Sequence, residues 1–169
     1  MNCFIFYAKL FYLNQGSTMK KLILTLLLLL SPLMADGIYK LTLNQKADVV
    51  YTKLLASLDN NHLIIVSEIN ILEKFKHAGL PEKFGKEFNS NNLTTIKAII
   101  ACNGFFGNYI ANADPDMMGL CPIRLTIVEK NGKTTILFVK PTNVGSTSRA
   151  KGMIEKLEKK VISAIEAVK

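Results

Sequence analysis

The chain has 169 residues, of which 49% are hydrophobic, and its formal net charge is +8. This length predicts one domain of ordinary size, and no internal repeat or low-complexity segment is present. The basic residues are spread along the sequence and interleaved with glutamate, which is typical of solvated helix faces. Because the sequence has no basic stripe with interleaved aromatic residues, we exclude nucleic acid as a partner.

The N-terminal part of the chain carries an export pattern. Two lysines after Met19 are followed by the apolar run Leu22–Leu30 and, a few residues later, by Ala35. This order of charged, apolar and small residues predicts a secretory signal peptide over residues 19–35, cleaved after Ala35. The apolar run is shorter than the ~20 residues that span a bilayer, so no stable membrane span is expected after cleavage. We therefore expect a periplasmic or secreted protein.

Residues 36–169 are the predicted mature protein, a single domain. Residues 1–18 have no acidic residue and no amphipathic period, and we interpret them as a spurious upstream extension, with translation starting at Met19. A genuine interfacial segment is the alternative. Loss of residues 1–35 removes three lysines and no acid, which lowers the net charge from +8 to +5. The remaining chain is long enough to form a core without cross-links.

The hydrophobic periodicity predicts the secondary structure. Alternating or continuous apolar runs indicate strands, spacings of three and four residues indicate helices, and Gly, Pro and Asn clusters indicate loops. In chain order the prediction is a strand at 38–43, a helix at 46–60, a strand at 62–69, a short helix at 71–78, irregular chain to 93, a strand at 94–101, a short helix that ends at Asp114, strands at 123–130 and 133–140, a loop at 141–148 and a closing helix from Arg149.

Two local signals support this order. Asn131-Gly132 between apolar runs predicts a hairpin with a type I′ turn, because both residues tolerate positive φ. Ser148 is placed to be the N-cap of the closing helix. The order of elements predicts a two-layer α+β fold, with a mostly antiparallel sheet of about five strands and helices on one face.

The cysteines are the main chemical feature of the mature domain. Cys3 is lost with the leader, which leaves Cys102 at the end of one predicted strand and Cys121 at the start of another. If these strands are neighbours, both thiols lie at the same end of the sheet. An oxidising compartment favours a disulfide between close thiols, and opposed strand residues have a suitable Cα separation. A Cys102–Cys121 disulfide would contribute about 3 kcal/mol.

A ligand site is the alternative to a structural disulfide. Two thiolates with a Met thioether suit Cu(I), and one thiolate between aromatic rings suits haem iron, so haem and copper are both candidate cofactors. Covalent haem attachment is excluded because Cys-x-x-Cys-His does not occur. Zinc is disfavoured because only His62 and His77 could add nitrogen ligands. The candidate ligand-binding residues are Cys102, Asn103, Phe105, Phe106, Met117, Met118 and Cys121, and core packing is the other interpretation of the aromatic and methionine side chains.

No pattern indicates a catalytic centre. Cys-x-x-Cys is absent, and no histidine or acid lies at a recognisable distance to lower a thiol pKa. The sequence has no serine triad, phosphate loop or paired carboxylates of a hydrolase. We therefore favour a non-catalytic module that binds a small ligand, haem or a soft metal, without identifying the ligand. The alternatives are a thiol–disulfide redox protein and a dimeric interaction domain with inert cysteines.

The stretch AIIACNGFFGNYIANADPDMMGLCPIRLTIVEKNGKTTILFV resembles the domain of unknown function 302 family. The features that carry the resemblance are a strand ending in ACN, a short helix, ADP followed by a Gly-Leu step, an adjacent Cys-Pro pair and a hairpin. The resemblance extends more weakly to Ile38 and implies a compact α+β domain that forms a homodimer, with no common activity. Two positions differ from the family pattern: this chain has Gly104-Phe105-Phe106 in place of prolines, and Cys121-Pro122 in place of Pro-Cys.

Overall fold

A computed structural model of the protein describes residues 37–169. The predicted upstream extension and signal peptide, residues 1–35, lie outside the described residues. None of the helices described is long and apolar enough to cross a membrane. The elements are β1 (Ile38–Leu43), α1 (Ala47–Asn60), β2 (Ile64–Asn70), α2 (Ile71–His77), α3 (Leu80–Phe84), β3 (Thr95–Cys102), α4 (Gly104–Ala113), β4 (Ile123–Lys130), β5 (Lys133–Val139) and α5 (Lys151–Glu166), with 3₁₀ helices at Gly85–Glu87, Pro115–Leu120 and Pro141–Asn143.

The five strands form one antiparallel sheet in the order β1-β5-β4-β3-β2. The predicted α+β class and the number of strands are confirmed. Strands β3, β4 and β5 are neighbours in the centre, while β1 and β2 form the edges. The β3–β4 register pairs Ala101 with Ile123, which aligns the end of β3 with the start of β4. The segments that carry the two cysteines therefore meet at one end of the sheet.

Helices α1 and α5 cover one face of this sheet. The apolar stripe Val50, Leu54 and Leu58 of α1 is fully buried, as the helical spacing of these residues requires. The buried side chains of the central strands alternate with more exposed ones, which is the period-two pattern of a half-buried sheet. The covered face is the main core; from the strands it contains Leu41, Ile99, Ala101, Ile123, Leu125, Ile127, Ile136 and Phe138, and from α5 it contains Ile154, Leu157, Val161, Ala164 and Ile165.

The hairpin between β4 and β5 forms as predicted. Lys130 pairs with Lys133, and the two residues between them have positive φ, 52° at Asn131 and 71° at Gly132. Positive φ at both central residues is the backbone conformation of a type I′ turn, which asparagine and glycine adopt at low cost. The local sequence is therefore sufficient for this turn.

The prediction for the start of the closing helix was wrong. Helix α5 begins at Lys151 and its N-cap is Ala150, which makes no side-chain cap hydrogen bond. Ser148 lies two residues before that N-cap: its Oγ accepts a hydrogen bond from the Ala150 amide at 3.0 Å and donates one to Asp114 Oδ2 at 2.6 Å. The serine thus joins the loop before α5 to the end of α4, because a carboxylate from a distant segment lies within reach of it.

The segment after α2 is more regular than predicted. It contains α3 and a 3₁₀ helix where irregular chain was expected. Gly79 has a φ of 69°, which ends α2 in the left-handed conformation that glycine favours and reverses the chain into α3. We call α2, α3 and the 3₁₀ helix Gly85–Glu87 the arm. The strand predicted from residue 62 also starts later, because His62 lies in a turn with a φ of 56°.

Candidate functional site

The two cysteines lie side by side at one end of the sheet. Cys102 is the last residue of β3, and Cys121 follows the 3₁₀ helix that leads into β4. Their Sγ atoms are 3.4 Å apart. The antiparallel pairing of β3 with β4 produces this proximity. Ala101, the residue before Cys102, lies opposite Ile123, which follows Cys121 by two residues.

The cysteines are free thiols in this structure. Their Sγ–Sγ distance is longer than the S–S bond of about 2.05 Å, and the two groups form a hydrogen bond. Both residues are half-buried. A disulfide between Cys102 and Cys121 is therefore not present, although the atoms that would form it are already neighbours.

A small cavity of about 20 Å³ adjoins the thiols. It lies among the ends of β3 and β4, α4, α5 and the 3₁₀ helix Pro115–Leu120. Its walls are almost entirely apolar apart from the sulfur atoms, and they include Cys102, Cys121, Met117, Met118, Ile110 and Ile154. A space of this size holds about one water molecule. The cavity is therefore large enough for a single ion and far too small for haem, so this conformation does not fit the haem prediction.

Asn103 positions the site. Its Oδ1 accepts a hydrogen bond from the Phe106 amide at 3.1 Å, which makes it the N-cap of α4. Its Nδ2 donates to the His62 carbonyl oxygen at 2.8 Å. The residue after Cys102 is thus held from both sides, which restricts the position of the thiol. Because both ends of its amide form hydrogen bonds with the backbone, Asn103 supports the cavity wall.

The aromatic residues of α4 divide into two groups. Phe106 packs against the main core. Phe105, by contrast, is 62% exposed, and its ring contacts Phe106 edge-on and Tyr109 at centroid distances of 5.5 and 4.8 Å. Neither Phe105 nor Phe106 lines the thiol cavity. The structure therefore brings together the four sulfur-containing residues but separates them from the two phenylalanines predicted to share their site.

The protonation of Cys121 follows from its surroundings. Burial raises the pKa of the Cys121 thiol to about 11, and the hydrogen bond and charge of Cys102 act in the same direction. At pH 7 only about one part in 10⁴ of this residue is then thiolate. Because the thiolate is the nucleophile, Cys121 is a poor attacking group near neutral pH. A metal ion that binds it must displace a proton.

The surroundings offer few other ligands. Residues 37–169 contain no group of three or more His, Cys, Asp or Glu side chains placed to hold one metal ion. His62 and His77 do not line the thiol cavity. The remaining soft donors at the cavity are the thioethers of Met117 and Met118. Any ion held here would thus be bound by sulfur.

Part of the cavity was not anticipated from the sequence. Ile110 of α4 and Ile154 and Leu157 of α5 form its floor. Their helical spacing correctly indicates burial, but spacing alone does not distinguish a core position from the wall of a cavity. The packing of α4 beside α5 creates this space, and no local sequence signal reports that packing.

Comparisons with known proteins agree on the fold. No curated protein matches the chain. A solved structure, the uncharacterized conserved protein DUF302 from Bacillus stearothermophilus, aligns with a TM-score of 0.69 over 79% of this chain and 99% of that one, at 18% sequence identity. At this identity the likeness concerns the fold alone. The family model described as domain of unknown function DUF302 matches residues 39–168. The chain therefore belongs to the DUF302 family.

Proposed function

We propose that this protein is an exported binding module that holds one soft metal ion, Cu(I), between Cys102 and Cys121. The observation that carries the proposal is the 3.4 Å separation of the two Sγ atoms at the wall of an ion-sized cavity. Metal–thiolate bonds of about 2.3 Å place two sulfur ligands of one ion at most about 4.6 Å apart. The thiols thus need only a small outward movement to bind the same ion.

The donor set favours Cu(I) over other metals. Thiolate and thioether sulfur are the ligands that Cu(I) prefers, and both line the cavity. A closed zinc site needs four N, S or O ligands, and the described residues provide only the two thiolates there. The apolar walls exclude water and hard anions that would compete for the ion. Cys102 and Cys121 are the primary ligands in this proposal, with Met117 or Met118 as a third.

Export is part of the same proposal. It rests on the predicted signal peptide at residues 19–35, which would deliver the domain to the periplasm. In an oxidising compartment, two thiols 3.4 Å apart become a disulfide unless something holds them apart. A bound ion would do this, since it occupies the position that the S–S bond would take.

A thiol–disulfide redox protein is the second candidate, and the same short distance favours it. Disulfide formation would transfer two electrons and two protons from Cys102 and Cys121 to an oxidant such as oxidised glutathione, which would become two thiols. The raised pKa of Cys121 opposes rapid exchange, because an attacking thiol works best when its pKa is near the ambient pH. We therefore rank metal binding first.

For the assembly, we propose a homodimer that uses the face of the sheet opposite α1 and α5. Exposed apolar residues on this face include Ile64, Ile69 and Val139. A stable interface buries about 800 Å² on each partner. Light scattering coupled to size-exclusion chromatography is expected to give twice the monomer mass for the unmodified protein. The Ile64→Glu variant should give the monomer mass. A monomer for the unmodified protein contradicts this assembly.

The metal proposal is tested with protein expressed from the full-length gene and purified without oxygen from the envelope fraction. Cu(I) is titrated in competition with a colorimetric Cu(I) chelator. We expect one ion per chain, and at least a hundredfold weaker binding for Cys102→Ser and Cys121→Ser. Met117→Leu and Met118→Leu test the third ligand, where about a tenfold loss is expected in one of them. Met153→Leu, which removes a thioether outside the cavity, is the matched control and should bind normally.

Two results would contradict metal binding. One is that the unmodified protein binds no Cu(I) ion tightly; the other is that a variant with both Cys102→Ser and Cys121→Ser binds Cu(I) as tightly as the unmodified protein. The redox candidate is then tested by thiol titration. A Cys102–Cys121 disulfide that reduced glutathione opens readily would support it, whereas a resistant disulfide or two inert thiols would count against it. Intact mass of the same preparation reports the cleavage site, expected after Ala35, and any retained metal.

A further inference from the structure

We infer a second binding site, independent of the thiols, that takes an organic cation with an apolar body, such as an alkylammonium. It lies in a groove of about 410 Å³ between the arm and β3, which we call the arm groove. The rings of Phe75, Phe84 and Phe88 line it, together with Leu72 and Ile96. Its volume falls within the range of about 300–1,000 Å³ that is usual for small-molecule sites.

The arm groove keeps large apolar surface in contact with solvent. Phe75 and Phe84, on the two helices of the arm, are 42% and 48% exposed. Burying a phenylalanine side chain fully would stabilise the protein by about 1.5–3 kcal/mol. Because Phe75 and Phe84 are only partly buried, the protein does not gain this full stabilisation at either residue. An apolar ligand that covers both rings would recover it.

The walls of the groove are held in place without a ligand. Leu72 of α2 is buried and anchors the arm. Asn70 caps α2 by accepting a hydrogen bond from the Glu73 amide at 3.2 Å. At the other end, Asn89 binds Leu93 twice, through its Oδ1 to the amide at 3.0 Å and through its Nδ2 to the carbonyl oxygen at 2.8 Å. A preformed groove of this kind binds a ligand with little cost of ordering.

Charge identifies the class of ligand. Glu87 is the one charged residue that lines the arm groove. Its carboxylate forms no ion pair or hydrogen bond with any residue that the structure describes, although lysines precede it at positions 83 and 86. An unpaired carboxylate beside aromatic rings attracts a cation, because the ring faces carry negative charge density as well.

The ring of Phe84 already accepts a cation on one side. Lys83 Nζ lies 5.6 Å from the centroid of this ring. The ammonium of the lysine therefore shows that the ring is accessible to a positive charge. In the proposed complex, a ligand ammonium would bind the Glu87 carboxylate and the aromatic rings, while its alkyl chain would lie against Leu72 and Ile96.

The test uses three probes with the same eight-carbon chain: octylammonium, octanol and octanoate. Each is titrated into protein purified from the envelope fraction, and binding is followed by the NMR shifts of the arm amides. We expect octylammonium to bind several-fold more tightly than octanol, and octanoate to bind most weakly. Glu87→Gln should weaken octylammonium about threefold to fivefold, the size of an exposed ion pair, and leave octanol unchanged.

The aromatic contribution has a matched control. Phe84→Ala should weaken both octylammonium and octanol, because it removes apolar wall. Phe105→Ala removes another exposed phenylalanine that lies outside the groove and should change nothing. The inference is overturned if octylammonium shows no saturable binding, if octanoate binds as tightly, or if Glu87→Gln binds octylammonium normally. Because the assay contains no metal, its outcome is independent of the copper proposal.

Discussion

The thiol cavity and the arm groove are two very different spaces on one small sheet. The thiol cavity has a volume of about 20 Å³ and is lined by four sulfur-containing side chains, whereas the arm groove is about twenty times larger and more open to solvent. A closed site of atomic size selects by the chemistry of its ligand atoms. An open groove selects by apolar area and one charge. If both proposals hold, one small domain provides both kinds of site.

The two regions also differ in how much the fold depends on them. Part of the wall of the thiol cavity, including Ile110, Ile154 and Leu157, belongs to the main core, so substitutions there also affect the stability of the domain. The arm groove is formed by an excursion between β2 and β3 that is only partly buried. We therefore expect mutations in the buried wall of the thiol cavity to lower the free energy of unfolding more than mutations in the arm groove.

The largest expected effect tests this contrast directly. Ile154→Ala, at a side chain that is 1% exposed in the wall of the thiol cavity, should lower the free energy of unfolding by about 2–5 kcal/mol. Phe84→Ala in the arm groove should lower it by about 1 kcal/mol or less, since nearly half of that side chain already contacts water. Urea denaturation measures both. Equal losses would show that the arm is as much part of the core as the cavity.

A second prediction concerns the reactivity of the half-buried Cys121 thiol. With its pKa raised to about 11, Cys121 should react with iodoacetamide about tenfold faster for each pH unit between pH 8 and pH 10. Mass spectrometry of the digested protein assigns the modified residue and gives the rate. A rate that levels off above pH 9, the reference pKa of an unperturbed thiol, would show that burial does not raise the pKa of Cys121.

The same shift gives a third prediction about stability and pH. The folded state holds the Cys121 proton more tightly than the unfolded chain, whose reference pKa is 9.0. This contribution to stability is complete below about pH 9 and is lost as pH rises towards 11. The free energy of unfolding should therefore decline more steeply in this window for the unmodified protein than for Cys121→Ala. Parallel declines in both proteins would contradict the prediction.

A fourth prediction compares the two helix caps that flank the sites. Asn103→Ala should cost about 1–2 kcal/mol, because it removes the cap of α4 and also the hydrogen bond to the His62 carbonyl. Asn70→Ala removes only the cap of α2 and should cost about 0.5–1 kcal/mol. Chemical denaturation resolves this difference. If Asn70→Ala lowered the free energy of unfolding more than Asn103→Ala, the cap of the arm would contribute more to stability than the cap beside the thiols, which contradicts the prediction.

The smallest expected effect lies on the surface of the arm. Lys83→Met removes the ammonium above the Phe84 ring and should change the free energy of unfolding by about 0.5 kcal/mol. A double-mutant cycle with Phe84→Ala isolates this contact, and Lys86→Met serves as the control for removal of a nearby positive charge. No coupling between Lys83 and Phe84 would mean that the ring face does not interact with a cation.

Much of the fold follows from local patterns in the sequence. The turn of the β4–β5 hairpin was predicted from Asn131 and Gly132, and both have the predicted positive φ. The α1 helix begins one residue after its predicted start and ends where predicted. The Ser148 cap was wrong because the helix begins only at Lys151; Ser148 accepts a hydrogen bond from the Ala150 amide and also binds Asp114, a carboxylate from a distant part of the chain. Local rules fail where a side chain finds a partner far away in sequence.

The candidate sites were only partly predictable for the same reason. The sequence indicated the cysteine segment, and it placed Phe105 in the same site, which the structure does not support. The arm groove was missed entirely, although three phenylalanines in a polar segment rich in Gly and Asn were a visible signal. Periodicity shows that such side chains can be buried. It does not show which of these side chains will remain exposed to solvent in the folded protein.

By itself the sequence determined the order of the elements, the class of the fold and the segment in which the sulfur atoms lie, because turns, helix faces and strand alternation depend on neighbouring residues. Only the tertiary structure decided that Cys102 and Cys121, 19 residues apart, have sulfur atoms within 3.4 Å, since this distance depends on the pairing and register of β3 with β4. Packing of helices and arm against the sheet then decided which spaces remain open. Such packing is a property of the whole domain.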